Sequence, residues 1–337
     1  MARLNTLKQT IGYAFLLSVV SLSVGCSTQA ARQDPADPVA LKAFAQTMAD
    51  QHGMDATAVE SLIRDEAIHQ QEIIDAISNP AEALPWHRYR EIFLTTDRID
   101  AGVAYWAEHR ELLDAVEARY GVPPEIVVAI IGVETRYGRY RGRHRVIDAL
   151  RTLAFAYPPR ADFFRSELEA FLVLANEEGM NPRTPLGSYA GAMGVPQFIS
   201  SSYRAYAVDF NGNGRRDLFS EPADAIGSVG NYFARHHWRA GAPIALPATL
   251  DGKVNEALLD SDLKPKHTVA ELKRSGIRTN PPLGDEQPAR LLALDTGNGS
   301  EHWVTLNNFY VITRYNHSPL YAMAVFQLAQ AIKAKQP

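Results

Sequence analysis

The chain has 337 residues, 46% of them hydrophobic and 21% charged, enough for two or three globular domains with a sizeable core. A net charge of −4 lacks the basic footprint of a nucleic-acid binder. A single cysteine excludes disulfides within the chain and thiolate metal clusters.

At the N-terminus, Arg3 and Lys8 precede an apolar run over 11–24 that is too short and serine-rich for a comfortable membrane span. The run ends in Leu22-Ser23-Val24-Gly25-Cys26, which resembles a bacterial lipoprotein signal with its leucine one place early. Cys26 is therefore expected to be lipidated as the first mature residue, and Ser27 resembles the outer-membrane sorting pattern. Residues 1–25 are read as signal peptide, and 26–38, polar and proline-broken, as a flexible tether.

Residues 39–121 read as a helical region. Leu41, Phe44 and Met48 form one stripe that Gly53 stops, and Asp55 can cap a second helix carrying Val59, Leu62 and Ile63. Asp100 can cap a later helix with Val103, Trp106, Leu112, Leu113 and Val116 inward and Gly121 past its end.

The stretch 122–138, VPPEIVVAIIGVETRYG, is the most informative. Pro123 and Pro124 suit a helix start, and Ile126 to Val133 is apolar on every side, so the helix is expected to be buried. Glu134 falls near its end, before Gly138 as the expected left-handed cap. Burial and the negative end of the helix dipole both disfavour a charged carboxylate there, which suits a general acid. The plainer alternative is a glutamate that turns to water or pairs with Arg136 or Arg139.

Two further helices are expected over 146–156 and 162–178, the second capped by Asp162. In Ser188–Phe198 (SYAGAMGVPQF), small residues and glycines permit close backbone approach, either to a ligand or to another helix. Asp209, Asn211 and Asn213, with Gly214 at the sixth place, match the start of an EF-hand loop, although the usual twelfth acid is replaced by Ser220. The same letters could form a plain Asn-Gly turn. A helix is expected over 222–238, then a small β-containing insertion with strands near 289–294 and 302–305 and one short helix over 269–275. Ser318 and Pro319 start a terminal helix over 320–333.

GVETRYG at 132–138, SYAGAMGVPQF at 188–198, AVDFNGNG at 207–214, DAIGSVGNYF at 224–233 and RYNHSPLYAMAV at 314–325 together resemble the membrane-bound lytic murein transglycosylase B family, the family 3 lytic transglycosylases. The resemblance implies a mainly α (α+β) fold. A lysozyme-like core spans 122–240 and 307–337, beside the N-terminal helical region and the insertion at 241–306. It implies cleavage of the β-1,4 bond between N-acetylmuramic acid and N-acetylglucosamine, leaving a 1,6-anhydro ring, with Glu134 as the one acid/base. It further implies that Ser188, Gln197, Tyr315, Asn316, Tyr321 and Tyr89 line the glycan cleft. Asp209, Asn211, Asn213, the Arg215 carbonyl and Asp224 are expected to hold a structural calcium ion, with no cofactor for catalysis. The implied partners are peptidoglycan strands, outer-membrane lipid through acylated Cys26, and cell-wall synthesis proteins, on the periplasmic face of the outer membrane. A lysozyme-type hydrolase and a non-catalytic peptidoglycan-binding lipoprotein are the alternatives to that activity.

Overall fold

A computed structural model describes residues 35–78, 83–252, 255–259 and 262–336. The expected signal peptide, Cys26 and the tether up to residue 34 lie outside the described residues. In chain order the helices begin with α1 (Pro38–His52), α2 (Ala56–Ser61) and α3 (Gln71–Ile77), followed by α4 (Trp86–Phe93), α5 (Thr96–Glu108), α6 (Arg110–Tyr120) and α7 (Pro124–Thr135). After strand β1 (His144–Arg145) come α8 (Val146–Ala156), α9 (Ala161–Glu177), strand β2 (Leu186–Gly187), α10 (Ser200–Tyr206) and α11 (Pro222–Arg235). The remainder runs β3 (Ala245–Leu250), β4 (His267–Thr268), α12 (Val269–Arg274), β5 (Ile277–Thr279), β6 (Pro288–Asp295), β7 (Ser300–Thr305), α13 (Asn307–Tyr315) and α14 (Pro319–Ala334).

These elements form two compact units, one within residues 83–137 and 229–336, the other within residues 35–78 and 138–228. In the first, α7 packs against α5, α6 and α14. Ile126 to Thr135 are all buried, so α7 is enclosed on every side, as its all-round apolar sequence requires. Each fully buried Ile or Val there contributes about 1.5–3 kcal/mol, a surplus large enough to carry one buried acid at the end of the helix.

The end of α7 differs from expectation. Arg136, not Gly138, is the left-handed cap at φ 48°, and Tyr137 and Gly138 follow at 62° and 81°. Tyr137 is the reason. Its hydroxyl donates to the Arg98 carbonyl at 2.8 Å, and a Cβ on Gly132 would stand 2.5 Å from that oxygen. The chain must fold back under its own helix to bury this ring, and left-handed residues make the reversal.

Other boundaries shift for local reasons. The helix expected from Asp100 starts earlier, because the Thr95 side chain accepts from the Arg98 amide, and Asp100 lies within α5. A break at His109 separates α5 from α6. Asp162 sits in the first turn of α9 rather than capping it. The helix expected to reach 238 ends at Arg235, just before His237 turns left-handed at φ 66°.

The insertion is a five-stranded antiparallel sheet in the order β4-β6-β7-β3-β5. Its core joins Leu258, Val269, Leu272, Ile277, Ala289, Leu291, Val304 and Leu306. Strand β6 is buried almost throughout because α12 and α4 both pack on it, and apart from buried Arg290 the stretch Ala289 to Leu294 is apolar rather than alternating. Glu301 on β7 fastens the sheet: one oxygen, Oε1, accepts from the Trp86 indole at 2.8 Å and from the Trp303 indole at 3.3 Å.

In the second unit α9 packs against α8 and α10, and α3 against α8. Buried Asp148 ties the segment before α3 to α8, accepting from the Ile68 amide at 2.9 Å and from two Arg145 nitrogens at 2.8 Å. Buried Glu167 on α9 holds the start of α10 through the Ser201 amide and hydroxyl at 3.0 and 2.6 Å.

Candidate active site

Glu134 is buried, and its Oε1 accepts a 2.5 Å hydrogen bond from the Tyr321 hydroxyl. Tyr321 lies at the start of α14, where Ser318 accepts from its amide and Pro319 opens the first turn, so the capping residues position the ring. Burial first, then the nearby Glu134 charge, push the Tyr321 phenol far above its ordinary value, so it remains a neutral donor. Donation into Oε1 directs the carboxyl proton of an acid form to Oε2, fixing which oxygen can act.

Removing the phenol isolates this effect. Tyr321→Phe is expected to lower kcat about tenfold, because a hydrogen bond to a charged group contributes about 1.5–3 kcal/mol and its loss lets the carboxyl rotate. An unchanged kcat in a correctly folded variant would refute the assigned role.

Tyr315, at the end of α13, stacks on Tyr321 with ring centroids 6.5 Å apart and planes 8° from parallel. Its phenol is also raised well above the ordinary value, by burial and then by the Glu134 charge. Asn316 follows in extended conformation and is buried. Tyr89 on α4 is fully buried, packed on Phe93 at 5.1 Å, and is close enough to Tyr321 to contribute to its shift. Tyr89 and Tyr321 have no accessible surface, so they act through the neighbours they touch rather than as open stacking faces. Glu134, Tyr321, Tyr315, Asn316 and Tyr89 thus all belong to one unit.

Sequence reasoning passed over Tyr232. Its hydroxyl donates to the Arg314 carbonyl at 2.5 Å, and its ring meets Tyr315 at 4.8 Å and His236 at 4.1 Å. It therefore holds the α13 end from which Tyr315 projects. The signal was present, since Tyr232 lies inside DAIGSVGNYF, but the tyrosine default is core packing and nothing local distinguished it.

The second unit carries Ser188 and Gln197. Ser188 is buried, and its Oγ accepts from the Ala190 and Ala192 amides at 3.2 and 2.9 Å, closing the tight SYAGA turn. Gln197 adopts a left-handed φ of 52°, uncommon for a side chain of this kind. Its Nε2 donates to the Gly194 and Arg141 carbonyls at 2.8 and 3.2 Å, while its buried Oε1 accepts no hydrogen bond. An unsatisfied buried acceptor costs about 1–3 kcal/mol, which is reasonable at a site where a ligand N–H or O–H completes it.

The Asp209–Arg215 loop is a chain of side-chain-to-backbone turns. Asp209 accepts from the amides of Gly212, Asn213 and Gly214 at 2.7–3.0 Å, Asn211 from Asn213 at 3.1 Å, and Asn213 from Arg215 at 3.0 Å. Fully buried Asp224 closes the loop, accepting from the Phe210 and Asp217 amides at 2.9 and 2.8 Å. Asp209, Asn211, Asn213, Arg215 and Asp224, the residues expected to hold calcium, thus belong to one hydrogen-bonded loop, and oxygen groups are the ligand type calcium takes. No group of three or more His, Cys, Asp or Glu side chains among the described residues could hold a metal, and two of this loop's side-chain donors are amides.

The transglycosylase SLT domain family model matches residues 37–330, and the chain belongs to this family of lytic transglycosylases. The membrane-bound lytic murein transglycosylase B of Escherichia coli K12 is 44% identical over 299 residues, covering 86% of this chain and 81% of that protein. The crystal structure of the soluble lytic transglycosylase SltB1 of Pseudomonas aeruginosa matches with a TM-score of 0.83 and 48% identity, over 88% of this chain and 98% of that one. The E. coli lytic transglycosylase Slt35 in complex with calcium matches at 0.80 and 44%, over 87% and 92%. SltB3 of P. aeruginosa, in complex with NAG-NAM-pentapeptide, matches at 0.75 and 30%, over 88% and 79%.

Proposed function

We propose that this lytic transglycosylase cleaves the β-1,4 bond between N-acetylmuramic acid and N-acetylglucosamine with Glu134 as its single acid/base. The observation that carries the assignment is a buried carboxyl at the end of an enclosed helix, aimed by a neutral phenol. Glu134 gives its proton to the glycosidic oxygen as the C1–O bond breaks, and the substrate's acetamido oxygen closes on C1. The carboxylate then takes the proton of the C6 hydroxyl while O6 attacks C1 and displaces the acetamido oxygen. Glu134 ends protonated, the product carries a 1,6-anhydro ring, and no water is consumed. One carboxyl suffices because the substrate supplies the internal nucleophile that a second carboxylate supplies in paired-acid glycosidases.

Ser188, Gln197, Tyr315 and Asn316 hold the glycan, with the unclaimed Gln197 Oε1 accepting from a sugar hydroxyl or acetamide N–H. Tyr89 and Tyr321 position the groups around Glu134. The relative solved with NAG-NAM-pentapeptide supports a peptide-bearing strand as substrate. The relative solved with calcium supports the Asp209–Asp224 loop as a calcium site that braces the fold. Lipidated Cys26 would tether the enzyme to the periplasmic face of the outer membrane, where cell-wall synthesis proteins are candidate partners. The membrane-bound E. coli relative supports that placement, and no described helix is long and apolar enough to cross a membrane.

Mass spectrometry of muropeptides released from purified sacculi tests the reaction. Products lighter by one water than the reducing sugars are expected. Reducing-end products would instead mean a hydrolase on the same scaffold.

A further inference from the structure

Residues 136–145 read Arg-Tyr-Gly-Arg-Tyr-Arg-Gly-Arg-His-Arg, five arginines and no acid within ten residues of a chain of net charge −4. Two of the last four are used internally. Arg145 is ion-paired with buried Asp148 at 2.8 Å. Arg141, also exposed, is engaged with the chain itself, donating to the carbonyls of Gly138, at 3.0 Å, and Phe219. Arg139 and Arg143 are exposed. Among the described residues Arg143 pairs only with Glu72, at 3.8 Å, with both side chains mostly in solvent. Among the described residues Arg139 makes no ion pair, and it lies 5.5 Å from the Tyr140 ring centre.

This loop has a fixed backbone. Gly142 is left-handed at φ 96°, and a Cβ there would overlap the Gly187 carbonyl and crowd the Ser188 amide, so only glycine fits. Gln197 Nε2 donates to the Arg141 carbonyl at 3.2 Å. The two solvent-facing arginines therefore project from a loop docked on the stretch that carries Ser188 and Gln197.

We propose that the 138–143 loop recognises the stem peptide of peptidoglycan, with Arg139 and Arg143 pairing its carboxylates. This inference rests on the reading of Ser188 and Gln197 as glycan-holding residues. The glycan backbone offers few charges, whereas the peptide carries carboxylates that exposed cationic side chains can pair with. An enzyme of net negative charge otherwise repels such a substrate, and a local cationic loop offsets that repulsion where the strand lies. Exposed pairs of this kind are weak and screened by salt, so the loop acts on selectivity rather than on the chemical step.

The test compares peptide-bearing strands with the same strands stripped of peptide by an amidase, using residues 27–337. The double variant Arg139→Gln/Arg143→Gln should lose about three- to tenfold in kcat/KM on peptide-bearing strands and nothing on stripped ones. The difference should vanish at ~0.5 M salt, and Arg139→Lys/Arg143→Lys should restore most of it. Equal losses on both substrates, or none on either, would overturn the proposal. Binding of soluble peptide-bearing muropeptide to Glu134→Gln, with and without the two arginine changes, reads the same recognition without turnover. If wild type yields no anhydro product yet its binding depends on the arginines, the reaction assignment fails and the peptide site stands.

Discussion

Glu134→Gln should bind sacculi as wild type does and release almost nothing. The amide has the carboxyl's shape, and its carbonyl oxygen can still accept from the Tyr321 hydroxyl at the position of Oε1. What it lacks is an acid proton to give and a basic oxygen to take one back. General acid–base catalysis contributes typically about 10²–10⁴-fold, and here one residue serves both halves of the reaction. The expected loss in kcat is therefore at least about 10³-fold. Thermal melting should be unchanged or slightly raised, because a neutral amide is easier to bury than a carboxylate. Residual activity within tenfold of wild type, in a correctly folded variant, would transfer the role to another group.

Asp224→Ala is expected to have the largest effect on stability. Its carboxylate has no accessible surface and ties the Phe210 amide at one end of the loop to the Asp217 amide at the other. Losing two charge-assisted bonds at once should cost about 3 kcal/mol, a fall of several degrees at about 2–4 °C per kcal/mol for a protein of this size. Calcium should raise the melting temperature of wild type, since a ligand that binds only the folded chain stabilises it by mass action. The variant should show almost no such rise. Asp224→Asn should recover part of the loss in the absence of calcium but not the response to calcium, separating loop closure from ion binding. A variant that melts with wild type in chelator would show that the amides find other partners.

Much of this architecture was legible because several signals agreed. Proline at the start of α7 and an apolar run with no polar face could describe only an enclosed helix, and the acid at its end was conspicuous for that reason. Ser318-Pro319 announced α14. What escaped notice depended on partners distant in sequence. Nothing near Tyr137 says that its hydroxyl will seek the carbonyl of Arg98, so the left-handed Arg136 could not be foreseen. Nothing near Glu301 says that it will collect two indoles. The hydrogen bond from Tyr321 to Glu134 spans 187 positions, and resemblance brought both residues forward without revealing that they touch.

That last separation bears on when the enzyme can first act. Glu134 is made well before the midpoint of the chain, while its phenol donor arrives only with the closing helix. A polypeptide still being synthesised therefore holds its acid without the helix that packs on α7 and without the phenol that aims it. Competence to cut the wall waits on roughly the last twenty residues, because α14 packs on α7 as well as carrying the phenol, and a stalled chain lacks far more than the one hydroxyl removed in Tyr321→Phe. Chains ending before Ser318 should accordingly leave sacculi intact, whatever structure their earlier helices retain.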